Sequence, residues 1–140
     1  MDPKTRILAF LQSHTTMTLS TVTPEGKPES AIVEYVALDT LELVFDTFAT
    51  YRKYENLRHH SSVACVVVEG DRTVQYEGEA VELFGAKLAA YKEPFFAKIP
   101  RARKFESRPE TRYFTIIPRW IRYSDLGKDP WEVFEVTMES

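Results

Sequence analysis

The feature that most constrains this chain is a succession of short strand-like runs joined by connections too brief for a crossover. Residues 16–22 are β-branched and alternate in polarity, and Thr23-Pro24-Glu25-Gly26 follows as a turn, with proline and glycine where turn geometry favours them. Residues 30–38 read as a second strand, Asp39-Thr40 as a tight connection and residues 41–47 as a third strand. Residues 62–68 are continuously apolar, which suits a strand buried on both faces. Glu69-Gly70-Asp71 turns the chain into a long strand over 73–84, where Gly78 predicts a bulge or sharp bend. Residues 112–123 form a strand interrupted at Pro118, and 131–137 a last short strand. Parallel strands need a crossover of a dozen or more residues, so these links specify antiparallel pairing.

Helices fit around this frame. Asp2-Pro3 is an N-cap followed by proline at the first helical position, and Ile7, Leu8 and Leu11 then share one face, predicting a helix over 3–13. Residues 51–60 and 86–91 also read as helices. Pro94 and Pro100 break the segment beyond, so 95–108 is a short second helix or an ordered loop. The fold class is mainly β (α+β): six to seven antiparallel strands with peripheral helices, in one domain spanning 1–140. The long bent strand favours a small closed or half-closed barrel.

The net charge of −3 argues against a nucleic-acid partner, which would select a basic domain. No apolar run is long enough to span a bilayer, and Met1-Asp2-Pro3-Lys4 lacks the apolar stretch of a signal peptide. The lone Cys65 reads as a buried small hydrophobe, and the expected compartment is the cytoplasm.

One segment has its charges reversed. With Thr50 as N-cap, Arg52 and Lys53 fall in the first turn of the helix at 51–60, where the backbone is already positive and N–H groups are unpaired. An anion such as a phosphate would resolve this by accepting those N–H groups and pairing with both side chains. An exposed helix start, with both cations leaning into water, accounts for the segment equally well.

The order of these elements carries a resemblance. A helix, a strand, the Thr-Pro-Glu-Gly turn and two more strands lead to Phe45-Asp46-Thr47. Thr47 is followed six positions on by Lys53, then by Asn56-Leu57, and later comes Val74-Gln75-Tyr76-Glu77-Gly78-Glu79-Ala80. Over roughly residues 5–85 this resembles the FMN-binding split-barrel family typified by pyridoxamine 5′-phosphate oxidase and the general-stress flavoproteins. The resemblance implies a split β-barrel homodimer with FMN at the dimer interface. It places the phosphate at Thr47, Thr50, Tyr51, Arg52 and Lys53, and the isoalloxazine ring along Ala31, Ile32 and Val33. Thr73 and Gln75 of the partner's long strand would face the ring. A small-molecule substrate and hydride transfer through the flavin follow from the same resemblance.

Three departures count against pyridoxamine phosphate as substrate. Tyr51 stands where the family commonly has a small hydroxyl residue, Ser30 or Ala31 where the oxidase has a basic one, and the oxidase's C-terminal arginine–histidine arrangement is not recognisable. A non-catalytic flavin-binding or flavin-sensing module, or the same barrel with a deazaflavin or haem, is the alternative.

The remaining candidates read as structural. His59-His60 end a helix, where cations are favoured, and His14 stands alone, so no metal site is expected. No acid–base pair emerges among Glu77, Glu79 and Glu82, and no catalytic residue is assigned. Lys98, Arg101, Arg103, Lys104 and Arg108 read as a solvated face, with a cationic rim for an anionic substrate as the functional alternative. Trp120 and Trp131 are expected in the core or a dimer interface.

Overall fold

A computed structural model describes residues 1–139. The first helix, α1 (Pro3–Gln12), starts as its sequence dictates, with Asp2 accepting the Thr5 N–H at 2.8 Å. Strands β1 (Thr16–Val22) and β2 (Pro28–Glu34) form a hairpin whose turn needs the left-handed backbone of Gly26. The predicted second strand divides at Tyr35, leaving β3 (Val36–Ala37) to pair with β4 (Leu43–Phe48). Helix α2 (Arg52–His59) follows, then β5 (Ser62–Glu69) and the long β6 (Arg72–Glu82). Next come α3 (Gly85–Lys98), a 3₁₀ helix (Pro100–Phe105), β7 (Thr111–Asp125) and β8 (Glu132–Thr137). No helix among the described residues is long and apolar enough to cross a membrane.

All pairings are antiparallel, in the order β2-β1-β5-β6-β7-β4-β3. The 15-residue β7 makes the arrangement a split barrel: along one edge it pairs with β4 over its first half and with β8 over its second. The sheet curls until β2 approaches β4, around a core that includes Leu19, Phe45, Tyr76 and Ile121. A second cluster lies on the outer face of β4 and β7, where Phe95, Phe96 and Ile99 pack against Val44 and Tyr113.

Several expectations change. Gly78 does mark a bulge, with the β6–β7 register shifting between Glu77 and Gly78, and a Cβ there would collide with the Ile117 carbonyl oxygen. Pro118 sits opposite this glycine, and β7 runs through it without breaking, because a disturbed ladder tolerates a residue that cannot donate. Helix α3 likewise continues through Pro94 to Lys98, held by the buried Phe95 and Phe96. Strand β5 is buried on one face only: Val63, Cys65 and Val67 point inward, while Val66 is 37% and Val68 61% exposed. Trp131 is 68% exposed and is no core residue. Cys65 lies inside as expected, and burial pushes its thiol up to about 12, which keeps it unreactive.

Candidate functional site

The curl leaves two adjoining hollows between β2, the end of β4 and the start of α2, with volumes of about 340 and 380 Å³. The first takes in Ala31 and the turn Thr50-Tyr51-Arg52-Lys53. The second takes in Ile32, Val33, Asp46 and Thr47 and is closed above by Arg101, Ala102 and Phe105 of the 3₁₀ helix. Tyr51 and Lys53 line both. Strand β2 pairs only with β1, so one row of its backbone groups faces this opening.

The start of α2 differs in detail from the sequence reading. Tyr51, not Thr50, is the N-cap residue, and its side chain caps none of the first-turn N–H groups. Thr50 lies in the preceding turn, where Tyr51 N–H donates to Phe48 O at 2.9 Å. Tyr51 packs edge-on against Phe48, and the Lys53 Nζ lies 5.1 Å from the Tyr51 ring centre.

The charged groups are unequally committed. Lys53 is half-buried, and loss of solvent lowers its pKa, with Asp46 opposing and Arg52 reinforcing the shift. Asp46 is pushed up to about 6, chiefly by burial and partly by Glu34, against the attraction of Lys53. Arg52 is 79% exposed, and its Nη1 lies 2.7 Å from Glu29 Oε2. The other Glu29 oxygen accepts from Asn56 Nδ2 at 2.8 Å, and that amide also donates to Thr21 Oγ1 at 2.9 Å. Glu34 is held by Arg101, whose Nη2 approaches to 2.6 Å. Thr47 Oγ1 is buried without a hydrogen-bond partner, a condition it shares with Tyr113 OH among the described residues. Unpaired buried hydroxyls are costly, and of these two residues only Thr47 lines a hollow.

Eight of the predicted binding residues therefore come together: Ala31, Ile32, Val33, Thr47, Thr50, Tyr51, Arg52 and Lys53 all line these hollows. Thr73 and Gln75 do not. They lie on the far side of β1 and β5, with Gln75 opposite Val66, which pairs with Thr18 and through it with Ile32. Three strand spacings put Gln75 about 14 Å from Ile32 in the same chain. Glu29, Glu34, Asp46 and Asn56 were not among the expected site residues, and Arg101, expected in a solvated face or a cationic rim, closes the second hollow. Glu29 had a usable signal, since it shares strand parity with Ala31 and Val33.

The basic stretch is taken up locally. Lys98 donates to Gln12 O, the Arg103 guanidinium lies 4.8 Å from the Phe96 ring centre, and that of Arg108 lies 4.9 Å from Phe105.

The family model for pyridoxamine 5′-phosphate oxidase matches residues 3–125. The chain belongs to that family. Solved structures of the same fold include a heme binding protein from Mycobacterium smegmatis, at 20% identity and a TM-score of 0.80; the match covers 98% of this chain and 59% of that one. General Stress Protein 26 from Bacillus anthracis matches at 23% identity and a TM-score of 0.74, over 97% of this chain and 100% of that one. A pyridoxamine 5′-phosphate oxidase-related, FMN binding protein from Nostoc punctiforme matches at 12% identity and a TM-score of 0.69, over 100% and 98%. The chain thus spans 59% of the length of the heme binding protein, and identities this low carry the fold alone. A comparison with curated proteins gives no match. Among these structural neighbours the fold occurs in a heme binding protein and in an FMN binding protein, so the site's own chemistry has to choose between them.

Proposed function

We propose that this chain is an FMN-binding flavoprotein that acts as an oxidoreductase, with the flavin at the interface of a homodimer. One observation carries the reading: the half-buried Lys53 lines a hollow at a helix start whose first-turn N–H groups no side chain caps. A phosphate ester supplies what each of these lacks. Bound there, FMN would supply hydride transfer. Lys53 and the first-turn N–H groups of α2 would hold the phosphate, with Thr47 in the adjoining wall. The free backbone edge of β2 would orient the ring, and Ile32, Val33 and Phe105 would keep water from it. Asp46, neutral below about pH 6, can hold a proton beside the ring.

The homodimer is supported by an apolar outer face on β2 and β5, where Ile32 is 67%, Val66 37% and Val68 61% exposed. Thr73 and Gln75 share the outer face of β6 beside it and are assigned to the ring of the second copy. Pyridoxamine phosphate oxidation is not assigned, because the departures at Ser30, Tyr51 and the C-terminus stand.

Among the described residues no histidine lines either hollow, which favours a flavin over a haem there. His14 is engaged through Nδ1 with Phe10 O and through Nε2 with Glu69 Oε1, both at 2.8 Å, and His59 Nδ1 lies 3.0 Å from Glu55 O. Freshly purified protein is expected to show flavin absorption bands, with FMN released on denaturation and identified by mass spectrometry. A haem Soret band, or colourless protein that takes up no added FMN, refutes the reading. Rapid bleaching by a nicotinamide donor separates an oxidoreductase from a flavin-binding module without turnover. Lys53→Ala is expected to weaken FMN binding about 30-fold by fluorescence titration, with folding unchanged.

A further inference from the structure

Glu29 puts a fixed carboxylate into the hollow that the proposed phosphate would enter. Asn56 is only 3% exposed and uses both amide hydrogens, one on Thr21 and one on Glu29. If Glu29 swung away, a buried N–H would lose its partner, so the carboxylate is held in place. Arg52 is the mobile member of the pair, since its side chain is 79% exposed against 20% for Glu29.

The charges at the hollows consequently show no surplus. Arg52 is matched by Glu29 at 2.7 Å, and Lys53 shares the second hollow with Asp46. An entering phosphate either shares Arg52 with Glu29 or faces Glu29 as an unscreened like charge. Both outcomes reduce what the phosphate adds to binding and leave contacts along β2 untouched.

We propose that Glu29 is a specificity-determining residue: an internal anion that competes with the ligand's phosphate for Arg52, so that the site discriminates weakly between phosphorylated and unphosphorylated flavins and holds either exchangeably. This rests on the flavin reading above. Glu29→Gln keeps the shape and an oxygen acceptor for Asn56 but removes the charge and releases Arg52.

The test is titration of riboflavin and of FMN into wild type and Glu29→Gln, followed by flavin fluorescence at fixed ionic strength. Wild type is expected to prefer FMN by less than about tenfold, and the variant to gain about tenfold for FMN, with riboflavin unchanged within about twofold. Glu29→Ala, which removes the carboxylate outright, carries the same expectation should the first variant fail to fold. A large FMN preference in wild type that neither variant increases overturns the proposal alone. A loss of FMN affinity on removing the charge also overturns it, because Glu29 would then be orienting Arg52 toward the phosphate. If neither flavin binds any of these proteins, the flavin reading falls and the proposal with it.

Discussion

Tyr76 and Tyr113 are buried tyrosines on neighbouring strands of one sheet, and their hydroxyls fare differently. Tyr76 OH reaches Leu41 O at 2.7 Å and Ile116 O at 3.1 Å, locking the left-handed backbone at Leu41 to the wall of the barrel. Tyr35 does the same on the side of α1, donating to Leu11 O at 2.6 Å. Tyr113 OH has no partner, and it lies on the strand pair that carries the site, with Tyr113 opposite Asp46 in the β4–β7 ladder. Burial, then the charges of Asp46 and Glu106, push its phenol up to about 12. Thr47, one residue along from Asp46, is orphaned in the same way. The closed wall completes its own hydrogen bonding, whereas the strands bordering the split leave polar groups open. Of the two orphaned hydroxyls, only that of Thr47 belongs to a residue lining a hollow, whereas Tyr113 packs in the cluster beneath α3.

Substitutions can break or sharpen this contrast. Tyr76→Phe strips a donor from two buried carbonyls and is expected to cost about 2 kcal/mol in urea unfolding. A loss below about 0.5 kcal/mol would dissolve the distinction between the two sides. Asp46→Asn is expected to act in the opposite direction. Burial raises its folded-state pKa from 3.8 to about 6, so the folded chain holds more protons than the unfolded one between those values. Stability from this group therefore falls as pH rises through about 4 to 6 and stays lower above. The variant should gain about 1 kcal/mol at pH 7.5, the half-buried position weakening the full effect, and the gain should vanish below about pH 4. Tyr113→Phe removes a hydroxyl that bonds to nothing, so its expected change is within about 0.5 kcal/mol and toward greater stability. If it proved as costly as Tyr76→Phe, Tyr113 would belong with the satisfied wall.

Much of the frame was legible because local chemistry and tertiary packing agree there. The Asp2-Pro3 start, the Gly26 hairpin and the Gly78 bulge each rest on a backbone demand that one residue type satisfies. Where the reading missed, packing had overruled local rules. Pro94 should stop a helix at a cost of about 3 kcal/mol, but burying Phe95, Phe96 and Ile99 outweighs that penalty. Strand β5 looked buried on both faces because Ala64, Val66 and Val68 are small or apolar, and a sequence cannot say whether the second face meets the same chain. The site was half visible. Its cations follow from the charge pattern at a helix start and its β2 wall from the family resemblance, whereas Glu29, Asn56 and Asp46 enter through pairings between distant segments. Thr50 lost the cap because the chain turned one residue later.

The double partnership of β7 also bears on how the chain tolerates change. β4 and β8 each hydrogen-bond to a different length of the same strand and never to one another. A defect in β8 would be felt at Arg122 and Tyr123, several residues beyond the stretch that fixes Asp46 and Thr47. Backbone pairing thus joins β4 and β8 only through β7, while Phe134 and Val136 of β8 still reach the core that β4 shares.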